Sequence, residues 1–272
     1  LTGLGNVLPA VSGAGGIEAA LRLALVANHP KRTILALRSG YGGKTLLSLA
    51  GTASPKYKER IDPLYPDVVY VDPFAADAVD RLDAALTEHP VAVVQTELIQ
   101  AVGGVRRVPD GVLAYLAASR RRHGYLWLVD EVQTGMHRTG PFALSKALGL
   151  APDLLVVGKG TSDMMVPFAL TLYSDAVRDR LAAAGSDLPA VLRQRFDYPL
   201  GFRTVLNVLR RADALNLPAR VADAGEVFAA RLREKLAGCR AVRDVRAFGL
   251  LVGVELDTKG WPRRLLKKWL YS

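Results

Sequence analysis

Short apolar runs alternate with longer stretches of helical periodicity, and this alternation constrains the fold more than any other feature. Strands are predicted at Thr33–Leu37, Val68–Val71, Val91–Thr96, Leu126–Val129, Leu154–Val157 and Ala169–Leu172. Several are apolar at every position, as strands buried on both faces of a parallel sheet are. Helices are predicted over Gly16–Asn28, Ala75–Glu88, Gly111–Arg122, Pro141–Leu148 and Ala176–Ala184. The repeated order of strand and helix predicts an α/β fold with an open, mostly parallel sheet flanked by helices.

The pattern changes near Pro199. Two long helical stretches, Pro199–Leu215 and Ala219–Leu236, precede an alternating segment at Val242–Leu256. We therefore predict a large α/β domain over residues 1–215 and the start of a small C-terminal α+β domain over residues 216–272.

Composition excludes several classes of protein. Half of the 272 residues are hydrophobic and 23% are charged, which excludes a disordered or collagen-like chain. Charged residues interrupt every apolar run before the ~18 residues of a membrane span. The single cysteine, Cys239, excludes an internal disulfide and a Cys-rich zinc site, and is typical of the reducing cytoplasm. The four histidines lack metal-ligand spacing, so no metal is predicted.

The net charge of +10 raises the question of a nucleic-acid partner. The basic residues are spread along the chain, and the densest clusters are residues 120–122 and 263–268. We interpret them as a solvated surface, and nucleic-acid binding as an alternative that depends on charge alone.

Polar side chains follow two successive predicted strands. Asp130 and Glu131 follow Leu126–Val129, and Lys159 follows Leu154–Val157 between two glycines. Ligands of open α/β sheets bind beyond the carboxyl ends of the strands. Considered separately, Asp130 is typical of a residue that caps a turn, and Lys159 is typical of a lysine in a solvated loop. If the strands are neighbours, both side chains face one cleft.

Two glycine-rich segments add to this pattern. Gly13 and Ala14 precede an amphipathic helix, whose first N–H groups can bind a phosphate. Tyr41 stands among glycines after Thr33–Leu37, where an exposed aromatic ring can stack on a flat ligand. A phosphate site, a ring platform, an acid and an amine are what pyridoxal 5′-phosphate requires.

The run Asp130-Glu131-Val132-Gln133-Thr134-Gly135, followed by Arg138-Thr139-Gly140 and Gly158-Lys159-Gly160, resembles the class III (ornithine/ω-amino acid type) aminotransferases. These are pyridoxal phosphate enzymes of fold type I. Weaker similarity extends from Ser12 to Leu256. The family's N-terminal region and most of its C-terminal domain are missing, so we expect a chain truncated at both ends.

The resemblance implies a role for each matching residue. Lys159 would form the Schiff base and carry the proton, and Asp130 would pair with the pyridine nitrogen. The other implied cofactor-binding residues are Gly13 and Ala14 at the phosphate, Tyr41 on the ring, Gln133 at the ring hydroxyl and Glu97 nearby. The implied activity is transfer of an amino group from an amine or amino acid donor to an oxo acid or aldehyde acceptor. The implied assembly is a homodimer with a shared active site.

The sequence also departs from the family pattern. Gly15-Gly16 replaces Glu-Ala, Gly42 replaces a histidine, Val102 replaces an acidic residue of some ω-amine members, and Asp163-Met164 replaces Gly-Gly. These changes weaken an assignment to ornithine, acetylornithine or 4-aminobutyrate. They leave two alternatives open: a decarboxylase, epimerase or aminomutase using the same cofactor, and a catalytically degenerate homologue that acts as a binding protein.

Overall fold

The computed structural model describes residues 1–58 and 65–257. The basic cluster at residues 263–268 and the end of the predicted small domain lie outside the described residues. The strands are β1 (Asn6–Ala10), β2 (Thr33–Leu37), β3 (Val68–Val71), β4 (Val91–Glu97), β5 (Ile99–Gln100), β6 (Arg106–Arg107), β7 (Leu126–Asp130), β8 (Leu154–Val157), β9 (Ala169–Tyr173), β10 (Val242–Phe248) and β11 (Leu251–Leu256). The helices are α1 (Gly13–Ala27), α2 (Ala78–Glu88), α3 (Asp110–His123), α4 (Leu144–Ala147), α5 (Asp175–Ala183), α6 (Leu188–Arg195), α7 (Pro199–Ala214) and α8 (Leu217–Leu236).

Seven strands form the central sheet in the order β1-β9-β8-β7-β4-β2-β3. The five strands from β3 to β8 are parallel, while β9 runs antiparallel to both of its neighbours. This confirms the predicted α/β fold with a mostly parallel sheet.

The sheet is buried on both faces, as the apolar runs predict. In β7, Leu126 and Leu128 pack into one hydrophobic cluster with α1, while Trp127 and Val129 pack into another with α2 and α3. Trp127 is fully buried. Burial of each such large apolar side chain stabilises the fold by about 1.5–3 kcal/mol.

The differences from the predicted elements have local causes. The sequence prediction omits β1, which contains Pro9. The structure places β1 at the sheet edge, where proline is tolerated. The helix predicted over Pro141–Leu148 is a single turn, α4, and α6 was not predicted. The alternating segment is a hairpin of β10 and β11 that turns at Gly249, whose φ is +56°.

No helix in the two described ranges is long and apolar enough to cross a membrane.

Candidate active site

The carboxyl ends of three adjacent strands place the predicted acids and the lysine together. Glu97 ends β4 and Asp130 ends β7, and the two residues are register partners in this parallel pair. The next strand, β8, ends at Val157, and Lys159 begins a 3-10 turn two residues later. The neighbouring strands anticipated from the sequence are therefore present.

One cleft with a volume of about 340 Å³ collects the predicted site residues. It is lined by Gly13, Ala14, Tyr41, Glu97, Asp130, Gln133 and Lys159, together with Ser12, Gly42, Gly43, Ala101, Val102 and Val132. The predicted residues thus share one site, although they come from segments more than 100 positions apart.

The N-terminus of α1 opens on this cleft with two free donors. The Ser12 hydroxyl accepts a hydrogen bond from the Gly15 N–H at 3.1 Å, and the Ser12 backbone carbonyl accepts one from the Gly16 N–H at 2.9 Å. Within the part of the chain that the structure describes, the N–H groups of Gly13 and Ala14 have no acceptor. Free N–H groups and the helix dipole together favour an anion such as a phosphate.

Gly13 is held against the loop that follows β7. A Cβ atom at Gly13 would lie 2.8 Å from Cγ1 of Val132 and 2.9 Å from its Cγ2. Real Cβ contacts are not this short, so only glycine allows this approach. At Gly15 the nearest atom would be 3.5 Å away, which is ordinary contact.

We expect Gly13→Ala to weaken binding of a phosphate-bearing cofactor at least about tenfold, because Val132 and the first turn of α1 must move apart. Gly15→Ala is the matched control, since it adds the same methyl group two residues away without a clash. Fluorescence titration with pyridoxal 5′-phosphate measures both affinities. Equal affinities would contradict the requirement for close approach.

Glu131 supports the loop rather than facing the cleft. Its carboxylate is buried and accepts from the Leu144 N–H at 2.7 Å and from the Ser145 N–H at 2.8 Å. The Ser145 hydroxyl donates to it at 2.6 Å. Glu131 therefore joins the Asp130–Gly135 segment to α4, and of these two adjacent acids only Asp130 lines the cleft.

Buried Glu97 joins two loops above the strand ends. The backbone N–H groups of Tyr41 and Ala101 donate to its carboxylate, the former to Oε1 at 2.7 Å. Burial, reinforced by the charge of Asp130, raises the pKa of Glu97 to about 8.

Asp130 is also buried, and its Oδ1 accepts from the Val132 N–H at 2.9 Å. Burial raises the pKa of Asp130, opposed by that hydrogen bond and by the charge of Lys159. Partial burial lowers the pKa of Lys159, opposed by Asp130 and Glu97. The backbone of Lys159 has φ of +50°, a strained conformation of the kind that clusters at functional sites.

Tyr41 lines the cleft, and the centroid of its ring lies 5.6 Å from that of Tyr57 in a T-shaped arrangement. The loop that carries it is fixed by residues that the sequence did not single out. The Thr52 hydroxyl accepts from the N–H groups of Gly42 and Gly43 at 2.9 and 3.1 Å. The Glu18 carboxylate accepts from Thr45 Oγ1 at 2.7 Å. No local motif marks these two residues, because their partners lie far along the chain or have no fixed spacing.

The donor set fits pyridoxal 5′-phosphate. The free N–H groups of Gly13 and Ala14 suit its phosphate, and the Asp130 carboxylate suits a protonated ring nitrogen. Gln133 is an amide that can bond the ring hydroxyl. The Lys159 amine, in the same cleft, suits the aldehyde.

A family model described as aminotransferase class III matches residues 1–269. Acetylornithine aminotransferase of Methanothermobacter thermautotrophicus is 34% identical over 256 residues, which cover 93% of this chain and 62% of that protein. An (S)-enantioselective omega-transaminase from Thermomicrobium roseum has a TM-score of 0.81 at 27% identity, with 93% of this chain and 60% of that one covered. Ornithine aminotransferase from Toxoplasma gondii has a TM-score of 0.82 at 26% identity, with 94% and 61% covered. The chain spans about three fifths of the length of these relatives.

Proposed function

The chain belongs to the class III aminotransferase family, and from this premise we propose that its protein is a pyridoxal phosphate-dependent aminotransferase. The reaction moves an amino group from an amine or amino acid donor to an oxo acid or aldehyde acceptor. The observation that carries this proposal is that Lys159 lines one cleft with the buried carboxylates of Glu97 and Asp130. The N-terminus of α1, whose first N–H groups are free, lines the same cleft.

The cofactor, when bound, supplies an aldehyde that takes up the amino group and a ring that withdraws electrons from the substrate carbon. Gly13 and Ala14 would bind its phosphate through their N–H groups. Tyr41 would support the ring, and Gln133 would bind its hydroxyl. Asp130 would accept a hydrogen bond from the ring nitrogen and keep that nitrogen protonated.

Lys159 has two roles in this proposal. Its amine would hold the cofactor through the aldehyde. Nζ of Lys159 would also take up the proton from the substrate carbon and later return it. Partial burial lowers the pKa of this lysine, which increases the fraction of neutral amine able to accept a proton.

Glu97 positions two backbone segments that line the cleft. Its carboxylate accepts hydrogen bonds from the N–H groups of Tyr41 and Ala101. It therefore fixes the loop of Tyr41 relative to the loop of Ala101.

The raised pKa of Glu97 predicts how stability depends on pH in the cofactor-free protein. Folding raises the pKa from about 4.3 in an unfolded chain to about 8, so the folded state binds this proton more tightly. Stability is therefore lost as pH rises between these values. Glu97→Gln removes this loss and keeps an acceptor for the Tyr41 N–H.

We expect the change in unfolding free energy caused by Glu97→Gln to be more favourable at pH 8 than at pH 5. The difference should be about 1 kcal/mol or more, since one pKa unit corresponds to about 1.4 kcal/mol. Urea unfolding at the two pH values measures it, and Glu234→Gln on the exposed face of α8 is the control. The same change at both pH values would contradict the raised pKa.

We also propose a homodimer in the cytoplasm. The 3-10 turn of Lys159 is followed by Met164 and Met165, whose side chains are 76% and 79% exposed, and such apolar exposure beside a site is typical of an interface. The free Cys239 is compatible with the cytoplasm. A monomeric mass of the full-length protein in light scattering would contradict the dimer.

We keep the domain boundary as a proposal, with residues 1–215 as the large domain and 216–272 as the start of the small one. Within the described residues, α8 packs on β10, and the hairpin of β10 and β11 approaches the large domain at Thr139.

Product analysis tests the proposed reaction. The full-length protein is incubated with a panel of amine donors, with and without an oxo acid acceptor. Aminotransfer predicts one equivalent of oxo product per cofactor without acceptor, and continuous turnover with it. Release of carbon dioxide, inversion of configuration or an isomeric amine without acceptor would identify another pyridoxal phosphate reaction instead.

A further inference from the structure

The turn between β5 and β6, residues 101–105, forms part of the wall of the cofactor cleft and is named the cleft turn below. Ala101 and Val102 of this turn line the cleft. Val102 is an apolar residue that is 53% exposed. The position of the cleft turn therefore sets the shape of the cleft on this side.

The first half of the cleft turn is held by the end of β4 and by β5. The Ala101 N–H donates a hydrogen bond to the Glu97 carboxylate. A Cβ atom at Gly103 would lie 2.9 Å from Oε1 of Gln100 and 3.0 Å from the Ser39 carbonyl oxygen. This half of the turn is therefore closely packed on the large domain.

The second half of the cleft turn contacts the hairpin of β10 and β11 at two points. Nε of Arg246 donates to the Gly104 carbonyl at 3.1 Å. A Cβ atom at Gly253 would lie 2.7 Å from Cβ of Val105, so Gly253 packs directly on this valine. Arg246 and Gly253 are register partners in the hairpin. One position along the hairpin thus supplies both contacts.

Two carboxylates fix the guanidinium group of Arg246. Its Nη1 donates to Oδ2 of Asp244 at 2.7 Å and to Oε2 of Glu255 at 2.6 Å. Charge-assisted hydrogen bonds are the stronger ones, and the guanidinium is a planar, rigid fork. With Nη1 held in this way, Nε is directed at the Gly104 carbonyl.

The backbone of the cleft turn is strained where the hairpin meets it. Val105 has φ of +53°, which is a genuine outlier for a β-branched residue. Such a conformation costs free energy, and the surrounding structure must maintain it. Arg246 bonds the residue before Val105, and Gly253 packs on the valine itself. Loss of these contacts would let the turn relax.

We propose that Arg246 is a positioning residue of the cleft. Through the Gly104 carbonyl it holds the cleft turn, and with it Val102, in the position that decides how large a group can approach the proposed cofactor aldehyde. Among the residues that the structure describes, Arg246 does not itself line the cleft, so it acts through the turn. This inference rests on the proposed function.

The test compares two reagents that capture the cofactor aldehyde, hydroxylamine and the bulkier O-benzylhydroxylamine. Their rates are followed by absorbance on the full-length, cofactor-loaded protein. Arg246→Ala should raise the rate with O-benzylhydroxylamine relative to hydroxylamine at least about threefold, the factor that one lost hydrogen bond corresponds to, because the released turn yields to the larger reagent. The rate with hydroxylamine should stay within about twofold of wild type.

Arg243→Ala is the matched control. Arg243 lies on the same hairpin and also contacts Glu255, at 3.5 Å, but its side chain is 70% exposed. Its removal should leave the ratio of the two rates unchanged. Arg246→Lys keeps the charge beside the two acids and lacks Nε, so it should raise the ratio as well. This variant replaces Arg246→Ala if the latter does not fold.

Hydrogen–deuterium exchange measures the hold on the turn without any reaction of the cofactor. The N–H groups of Gly104 and Val105 donate to the Ala101 carbonyl at 3.3 and 3.2 Å. Both should exchange faster in the Arg246 variants than in Arg243→Ala, because the turn that closes these bonds is released. Unchanged exchange in the Arg246 variants would overturn the proposal.

The ratio of rates separates a positioning role from general loosening. An unchanged ratio in the Arg246 variants, an equal acceleration with both reagents, or the same rise in Arg243→Ala would overturn the proposal. Captured cofactor with an unchanged ratio refutes the role of Arg246 alone. Wild-type protein that holds no cofactor aldehyde for either reagent to capture refutes the proposed function instead.

Discussion

We expect Lys159→Ala to lower the turnover number by at least about 10⁴-fold, because one substitution removes both the proposed attachment point of the cofactor and the proposed base that moves the proton. No other lysine lines the cleft among the described residues. The assay is steady-state aminotransfer with the donor and acceptor that the product analysis identifies, at saturating cofactor. Spectra of the same preparation report whether cofactor is still bound.

Lys146→Ala is the matched control for this prediction. Lys146 is an exposed lysine on α4, and its removal changes the net charge equally without touching the cleft. We expect its turnover to stay within about twofold of the parental rate, as surface substitutions usually do. Transamination by Lys159→Ala at the parental rate would refute the assignment of the catalytic lysine.

Asp130→Asn keeps the local structure and removes the charge. The amide oxygen of asparagine can accept the Val132 N–H that Oδ1 of Asp130 accepts at 2.9 Å, so the loop after β7 should remain in place. The neutral side chain cannot hold a proton on the ring nitrogen of the cofactor. We therefore expect the cofactor to bind, and the turnover number to fall about 10³-fold, the upper range for loss of one preorganised electrostatic partner.

Two measurements separate charge from structure in this variant. Cofactor titration should give an affinity within about tenfold of wild type, since the phosphate and ring contacts remain. Isotope exchange at the substrate carbon should slow as much as turnover does. Asp223→Asn, an exposed carboxylate on α8, is the control. Near-normal activity of Asp130→Asn would remove Asp130 from its proposed role.

The sheet was predictable where burial is complete. The sequence predicts β2 and β8 with the bounds that the structure has, because continuous apolar runs are typical of central parallel strands. It omits β1, because Pro9 argues against a strand unless the strand lies at an edge. Whether a strand lies at the edge depends on the order of all strands in the sheet, so no local sequence pattern indicates it.

The candidate site was predictable where it follows from strand order. Asp130 and Lys159 could be placed together because both follow the ends of strands joined by one crossover. The supports of the site could not be predicted in this way. Glu18 holds Thr45 across 27 positions, and Glu97 bonds the Tyr41 N–H across 56 positions. Such contacts depend on how the loops pack over the sheet.

The strained positions were also beyond sequence patterns. Lys159, Met136 and His137 adopt left-handed backbone conformations that non-glycine residues rarely take. The backbone propensities of lysine, methionine and histidine disfavour these conformations, so only the structure shows them. Lys159 lines the cleft, where strain is commonly retained for function.

The central claim is that Lys159 carries pyridoxal 5′-phosphate in the cleft formed by Glu97 and Asp130. The measurement that tests it most directly is reduction of the cofactor-loaded, full-length protein with borohydride, followed by digestion and mass spectrometry of the peptides. A pyridoxyl group on Lys159, absent from the Lys159→Ala variant and unaffected by Lys146→Ala, is the predicted result. Folded protein that carries no label, or carries it on another lysine, would contradict the account.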